Sequence, residues 1–243
     1  MDIVLLAAGI GSRLKPLTKT TPKCLVDIND KPLLSYWLEK ISKLPNARIL
    51  INTHYQSEKV KKFIKNNFSH LNITISYEKE LLGTGGTLKK NKEFFTRDES
   101  FMVIHADNFS IFNIDEFIQA HSKVRSNNNL LMTMMTFKTE KYYKSGILEI
   151  KNNIVRKFYE KSEIKYGDLA NAAIYIFDYR LLEIISKLNV DKIDLSKDVI
   201  PKLMNKINTY ENKIYHEDIG DIDSLIKVRK DFNILFKKYK DLI

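Results

Sequence analysis

The sequence predicts an α/β protein with a mixed, mostly parallel central sheet, helices on both faces and a small antiparallel insertion. Three observations carry this. Short apolar runs bounded by glycine or polar residues recur at 3–8, 48–53, 73–77, 101–105, 130–136 and 173–177, the pattern of strands buried on both faces. Between them lie segments of helical periodicity at 33–44, 57–68, 115–122 and 179–186, and such alternation favours parallel βαβ units. The stretch 132–158 departs from it: Gly146-Ile147-Leu148-Glu149-Ile150 and 155–159 flank Lys151-Asn152-Asn153, a hairpin signal and hence the antiparallel insertion. No Pro-, Gly- or Ser-rich linker and no internal repeat interrupts the chain, so one domain over 1–243 is expected.

The first strand, 3–8, has no polar alternation and runs into Gly9 and Gly11, where a backbone without side chains can approach a ligand and aim N–H groups at it. Arg13 and Lys23 follow, a planar fork and a movable point charge, both suited to phosphate. Two commoner phosphate loops are excluded. No stretch has the Gly-x4-Gly-Lys-Ser/Thr spacing, and Leu14 stands where a dinucleotide fingerprint needs its third glycine. After the strand at 73–77, Glu80-Leu81-Leu82-Gly83-Thr84-Gly85-Gly86-Thr87 forms a second glycine loop ahead of a helical segment at 88–95. The strand at 101–105 ends in Ala106-Asp107-Asn108, and the carboxyl ends of strands border the ligand crevice in open α/β sheets. A second carboxylate comes late, in His216-Glu217-Asp218-Ile219-Gly220. Two aspartates with phosphate oxygens and water suit magnesium. His105 and His216 each precede one of these aspartates by two residues, where filling a strand face is a commoner role than binding a transition metal.

Leu5-Leu6-Ala7-Ala8-Gly9-Ile10-Gly11-Ser12-Arg13-Leu14-Lys15-Pro16-Leu17-Thr18, followed by Thr21-Pro22-Lys23-Cys24-Leu25-Val26 and Lys31-Pro32-Leu33-Leu34, closely resembles the amino-terminal signature of the sugar-1-phosphate nucleotidyltransferases, also called nucleotide-sugar pyrophosphorylases. The resemblance implies a Rossmann-like, glycosyltransferase-A-type fold. It implies that Leu6, Ala8, Gly9, Gly11, Arg13, Lys23, Glu80 and Gly83 hold the nucleotide, Glu80 and Gly83 lying near the base. Arg13, Lys23 and Asp107 take the catalytic roles, and Asp107 with Asp218 holds Mg2+. Asn108, Gly146, Glu160, Lys161 and Asn171 serve the sugar phosphate, Glu160 and Asn171 bonding hydroxyls and Lys161 the phosphate. Ala172 is read as standing where many relatives have glycine. The implied reaction joins a nucleoside triphosphate and a sugar 1-phosphate into a nucleotide-sugar, a GDP-sugar ahead of a UDP-sugar. A cytidylyltransferase acting on a small phosphorylated alcohol, or an inactive regulatory subunit that binds nucleotide-sugar, are the competing readings.

Composition bounds the rest. With 44 % hydrophobic residues, 243 residues can bury a substantial core. No apolar run reaches the roughly 18 residues that cross a bilayer, and the start lacks a secretory pattern, so a cytoplasmic protein with no membrane partner is expected. The single cysteine, Cys24, reads as a small core hydrophobe. The net charge of +10 comes from scattered lysines; even the lysine-rich segment 227–240, with Leu225, Ile226, Phe232, Leu235 and Phe236 as apolar positions, reads as a solvated helix face, so no nucleic acid is expected as partner. The oligomeric state stays open, a homodimer included.

Overall fold

The computed structural model describes residues 1–243. In chain order the strands are β1 (Asp2–Leu6), β2 (Asp27–Ile28), β3 (Lys31–Pro32), β4 (Arg48–Thr53), β5 (Ile73–Tyr77), β6 (Phe101–His105), β7 (Asn108–Ile111), β8 (Met132–Lys138), β9 (Gly146–Lys151), β10 (Ile154–Glu160), β11 (Leu169–Phe177), β12 (Ile207–Glu211) and β13 (Tyr215–Asp218). The α-helices are α1 (Leu33–Ser42), α2 (Ser57–Asn67), α3 (Thr84–Lys90), α4 (Ile114–Arg125), α5 (Tyr179–Ser186) and α6 (Ile222–Tyr239). The chain forms two compact units: Met1–Leu81, Ile104–Phe112 and Ile214–Ile243 make the first, Leu82–Val103 and Asn113–Lys213 the second. No helix is long and apolar enough to cross a membrane.

In the first unit β1 pairs in parallel with β4 from Asp2↔Arg48 to Leu6↔Asn52, and β4 with β5 from Ile49↔Ile73 to Thr53↔Tyr77. All five residues of β1 are buried, which explains its apolar run from Ile3 to Leu6. Arg48 forks onto Asp2 with two bonds of 2.7 Å and ties the starts of β1 and β4 together. The strands β7 and β13 pair antiparallel from Ile111↔Tyr215 to Asn108↔Asp218. Asp221 and Ser224 form a capping box that starts α6, whose Leu225, Val228 and Phe232 pack with Leu33, Tyr36, Phe109 and Ile219. The Trp37 indole N–H donates to the Asn108 carbonyl at 2.9 Å, so α1 fixes the chain right after Asp107.

The second unit is where the structure widens the expected antiparallel insertion. Its sheet runs β11-β8-β12-β10-β9; β8 and β12 are parallel, while the pairs β11–β8, β12–β10 and β10–β9 are antiparallel. The far edge returns, because Ala170 of β11 also pairs with Ile147 of β9. Strands expected at 130–136 and 173–177 extend over Met132–Lys138 and Leu169–Phe177, and β7, β12 and β13 were not expected at all. The helix expected at 88–95 instead starts at Thr84, within the glycine loop.

Candidate active site

In the first unit the glycine turn leaves β1 under tight control. The Ala7 N–H donates to Asn52 Oδ1 at 2.7 Å, and Asn52 Nδ2 donates to Glu78 Oε1 at 2.9 Å; Asn52 and Glu78 are both buried. The carboxylate linked to the turn is thus Glu78, whereas Glu80 is exposed. Sequence reasoning missed Glu78, although Ser76 and Glu78 are the buried alternate residues at the end of β5, a period-2 signal. Gly11 sits at φ 68°, where a side chain is strained, and a Cβ there would lie 2.9 Å from Thr18 Cγ2 and 3.1 Å from Lys23 Cβ. Thr18 Oγ1 donates to the Gly11 carbonyl at 2.7 Å, so the turn and the Lys23 stem are packed as one piece. Gly9 is exposed, with Lys23 Cδ 3.9 Å from its missing Cβ.

Lys23 is buried and its Nζ donates to Asp107 Oδ2 at 2.5 Å. Burial alone would raise the Asp107 carboxyl, but the Lys23 charge, His105 and the Lys23 hydrogen bond outweigh it and hold it below the usual carboxylate range. Register then brings in the second aspartate. Asn108 pairs with Asp218, and the Ile219 N–H donates to the Asp107 carbonyl at 3.0 Å, so Asp107, just ahead of β7, and Asp218, at the end of β13, lie on neighbouring stretches of chain. Arg13 arrives at the same place: a Cβ on Gly220 would be 3.1 Å from Arg13 Nη2 and 3.3 Å from Asp218 Oδ2. Gly220 therefore makes room for a guanidinium beside a carboxylate. The predicted set Gly9, Gly11, Arg13, Lys23, Asp107 and Asp218 belongs to one unit.

Asp107 and Asp218 offer oxygen donors only, both are open to solvent in part, and no third His, Cys, Asp or Glu joins them in a metal-sized group. That donor set fits a hard divalent cation whose other positions go to water and phosphate oxygens. His216 is buried, and burial lowers its pKa to about 3, which keeps the imidazole neutral despite Asp107. Burial pushes the Cys24 thiol up to about 12, in keeping with a core role.

Of the residues assigned to the sugar, Gly146, Glu160, Lys161 and Asn171 lie in the second unit, while Asn108 is buried in the first. Gly146 pairs with Glu160, and a Cβ on Gly146 would lie 2.5 Å from the Phe158 ring and 2.9 Å from Glu160 Oε2. Only glycine lets that carboxylate fold over the strand. Lys161 Nζ stands 3.5 Å from Glu160 Oε1, and Lys161 itself has φ 47°, its N–H donating to the Ser145 carbonyl. Asn171 accepts from the Ala173 N–H at 2.9 Å and donates to the Tyr175 hydroxyl at 2.8 Å, across a bulge in β11. The backbone conformation that favours glycine is at Ala173, φ 52°, and not at the buried Ala172 singled out from sequence.

Gly83 and Gly85 lie against Ile193. Cβ atoms there would meet the Ile193 carbonyl at 2.4 Å and Ile193 Cγ2 at 2.6 Å, while the Gly85 and Gly86 N–H groups donate to that carbonyl. The start of α3 is thus fastened to 193–195, with the Leu195 N–H on Thr84 Oγ1 at 2.8 Å.

The chain has relatives among known proteins. A family model described as Nucleotidyl transferase matches residues 3–233. Mannose-1-phosphate guanyltransferase beta-A of Xenopus laevis is 28 % identical over 227 residues, which cover 90 % of this chain and 61 % of the relative. The catalytic subunit beta of mannose-1-phosphate guanylyltransferase from Drosophila melanogaster is 29 % identical over 233 residues, 94 % of this chain and 60 % of the relative. The chain therefore spans about three-fifths of the length of these curated relatives. A crystal structure of UDP-glucose pyrophosphorylase with UDP-glucose aligns with a TM-score of 0.76 at 20 % identity, covering 96 % of this chain and 98 % of that one. At that identity the likeness speaks for the fold, which is the glycosyltransferase-A-like, Rossmann-type fold expected from the sequence.

Proposed function

We propose that this chain, which belongs to the nucleotidyl transferase family, is a cytoplasmic enzyme acting as one catalytic domain over residues 1–243. It transfers a nucleotidyl group from a nucleoside triphosphate to a sugar 1-phosphate, with GTP and mannose 1-phosphate as the first pair to test. The observation that carries the reading is the convergence of Lys23, Arg13, Asp107 and Asp218 beside the Gly9–Gly11 turn. The relatives named above, guanylyltransferases of mannose 1-phosphate, support the choice of pair.

A phosphate oxygen of the sugar 1-phosphate forms a bond to the α-phosphorus as the bond from that phosphorus to the bridging oxygen breaks, and pyrophosphate leaves with the electron pair. The attacking oxygen is already anionic, so no protein base or nucleophile is needed. Acceleration comes from positioning and from charge set in place before reaction. Lys23 and Arg13 neutralise the nucleotide phosphates, the backbone of Gly9 and Gly11 lets them come close, and Lys161 steadies the sugar phosphate. Asp107 and Asp218 would hold Mg2+, which when bound supplies further positive charge to the phosphates.

Pyrophosphate release from each of the four triphosphates, paired with a panel of sugar 1-phosphates, tests the reading. GTP with a hexose 1-phosphate is expected to give the highest turnover. No release from any pair by folded protein would overturn the proposal.

A further inference from the structure

The loop that carries Arg13 and leads on to Lys23 is held by one short segment of the first unit. At the passage from β4 to α2, three side chains meet three backbone carbonyls in a row. Gln56 Nε2 donates to the Thr18 carbonyl at 3.4 Å and to that of Lys19 at 3.1 Å, the Tyr55 hydroxyl donates to Lys19 at 3.2 Å, and Lys59 Nζ donates to Thr20. The same stretch of chain begins with Asn52, which accepts from the Ala7 N–H. The loop is therefore clasped at both ends, before Gly9 and after Leu17.

Of these side chains Gln56 bridges two carbonyls, and its backbone is strained. It stands at φ 52° and ψ 37°, the left-handed region, and no side-chain bond caps the helix that starts there. Its amide oxygen is buried without a hydrogen-bond partner, so the nitrogen alone makes the clasp. Stability disfavours a strained residue with an unused buried acceptor, and such residues persist where a site needs the geometry they hold.

What Gln56 holds reaches the cations through Thr18. Thr18 is buried, and its hydroxyl donates to the Gly11 carbonyl at 2.7 Å; that carbonyl also accepts from the Leu14 N–H at 3.0 Å, closing the turn in which Arg13 stands. Thr18 Cγ2 and Lys23 Cβ crowd the same face of Gly11. Moving Thr18 thus moves the turn of Arg13 and the stem of Lys23 together.

Resting on the assignment of Gly9, Gly11, Arg13 and Lys23 to the nucleotide phosphates, we propose that Gln56 is a positioning residue of the triphosphate site, its amide nitrogen holding Thr18 and Lys19 so that the loop stands ready before the nucleotide arrives. It acts through Thr18 and touches no substrate. Its loss lowers the fraction of protein with the loop in place, and the apparent affinity for the nucleotide falls by that fraction.

Gln56→Gly and Gln56→Ala both delete the amide, but only alanine keeps the backbone strain. Calorimetric titration of GTP, initial rates with GTP and mannose 1-phosphate, and thermal melts separate the two effects. Expected is a Kd for GTP raised about tenfold, to the same extent in both variants, with the KM for mannose 1-phosphate unchanged. Gln56→Gly should melt within about 2 °C of wild type, because relief of strain offsets the lost bonds, and Gln56→Ala about 2–4 °C below Gln56→Gly. Gln56→Glu keeps the length but sets a carboxylate oxygen against the two carbonyls, so it should weaken GTP at least as far. A Kd for GTP within about twofold of wild type in Gln56→Gly makes the clasp merely structural and overturns the inference. A rise in Gln56→Gly that Gln56→Ala does not share overturns it as well, since the backbone and not the amide is then responsible. So does an equal rise in the constants for GTP and for the sugar phosphate, which is a general loosening. In each of these cases a loss of kcat in Lys23→Met leaves the phosphate assignment standing. If wild type binds no GTP, or Lys23→Met keeps both its kcat and its GTP affinity, the assignment itself fails and the inference with it.

Discussion

Replacing Lys23 by methionine separates what the ammonium does for the fold from what it does for the reaction. Methionine keeps an unbranched stem in the seat formed by Gly11 and Thr18 and deletes the charge on Asp107. Breaking a fully buried ion pair costs about 3–5 kcal/mol, because the surviving charge is stranded. Here Lys23 is 8 % exposed but the Asp107 side chain is 32 % exposed, so water can rehydrate the carboxylate. The loss of stability should then be about 1–2 kcal/mol, a fall in Tm of roughly 2–8 °C for a chain of this size. Turnover should fall far more. Loss of one preorganised charge contact costs about 100- to 1,000-fold in kcat. Lys23→Arg should not restore the rate, since a planar fork cannot replace a point charge on a stem packed this closely. Pyrophosphate release at saturating GTP and mannose 1-phosphate, alongside a thermal melt, gives both quantities. A folded Lys23→Met protein with kcat within about threefold of wild type would refute the role of Lys23 at the phosphates.

Gly11→Ala combines left-handed strain of about 1–2 kcal/mol with overpacking against Thr18 and Lys23 of about 1–3 kcal/mol, so Tm should drop by roughly 5–15 °C; a drop under about 2 °C would show that the turn relaxes freely. Gly146→Ala should raise the KM for the sugar phosphate and leave that for GTP alone, because the new methyl displaces Phe158 and Glu160 and nothing in the first unit. Equal changes in both constants would count against the separate assignment of Glu160. His121 sets an acid limit: burial lowers its pKa from 6.5 to about 4, against the nearby Asp178 and with Arg125, while Thr133 and Ser100 hold the neutral ring. Above pH 6.5 both folded and unfolded forms are neutral there; below it only the unfolded chain takes the proton, so about 2 kcal/mol of stability is lost by pH 5 and the loss levels off near pH 4. Denaturant melts at pH 7 and pH 5 should show a smaller difference for His121→Gln than for wild type, and an unchanged difference would mean that other groups, such as the buried His216, set the limit.

What could be read from the sequence is what neighbouring residues decide among themselves. The apolar strand running into Gly9 and Gly11, the cations Arg13 and Lys23, and the strand that ends at Asp107 are each written in a few consecutive positions, and the structure gathers them in the first unit. The late Asp218-Ile219-Gly220 was legible as a motif, but β13 was not: four residues with two charges carry no strand signal, and the strand exists because β7 pairs with it more than a hundred positions away in the chain. Gly83 and Gly85 show the same limit in another form. The glycines announce a close approach without saying to what, and the partner is the backbone of Ile193, over a hundred residues on.

Ala173 marks the opposite case, in which the residue type points away from the conformation. An alanine says nothing of φ 52°, and strain of about 1–2 kcal/mol relative to an ordinary conformation has to be offset by its surroundings. Asn171 supplies that offset with an oxygen on the Ala173 N–H, and Tyr175 secures the other end of the same amide. One side chain therefore stabilises a costly turn and is itself held in a single orientation by it. The strain at Ala173 and the order of the Asn171 amide are therefore two sides of one local arrangement. The order of this bulge is then carried by a backbone feature that no residue type announces, and Tyr175→Phe should lower Tm by releasing the Asn171 amide while leaving Lys23 and Asp107 paired; an unchanged Tm would show that the bulge does not need that bond.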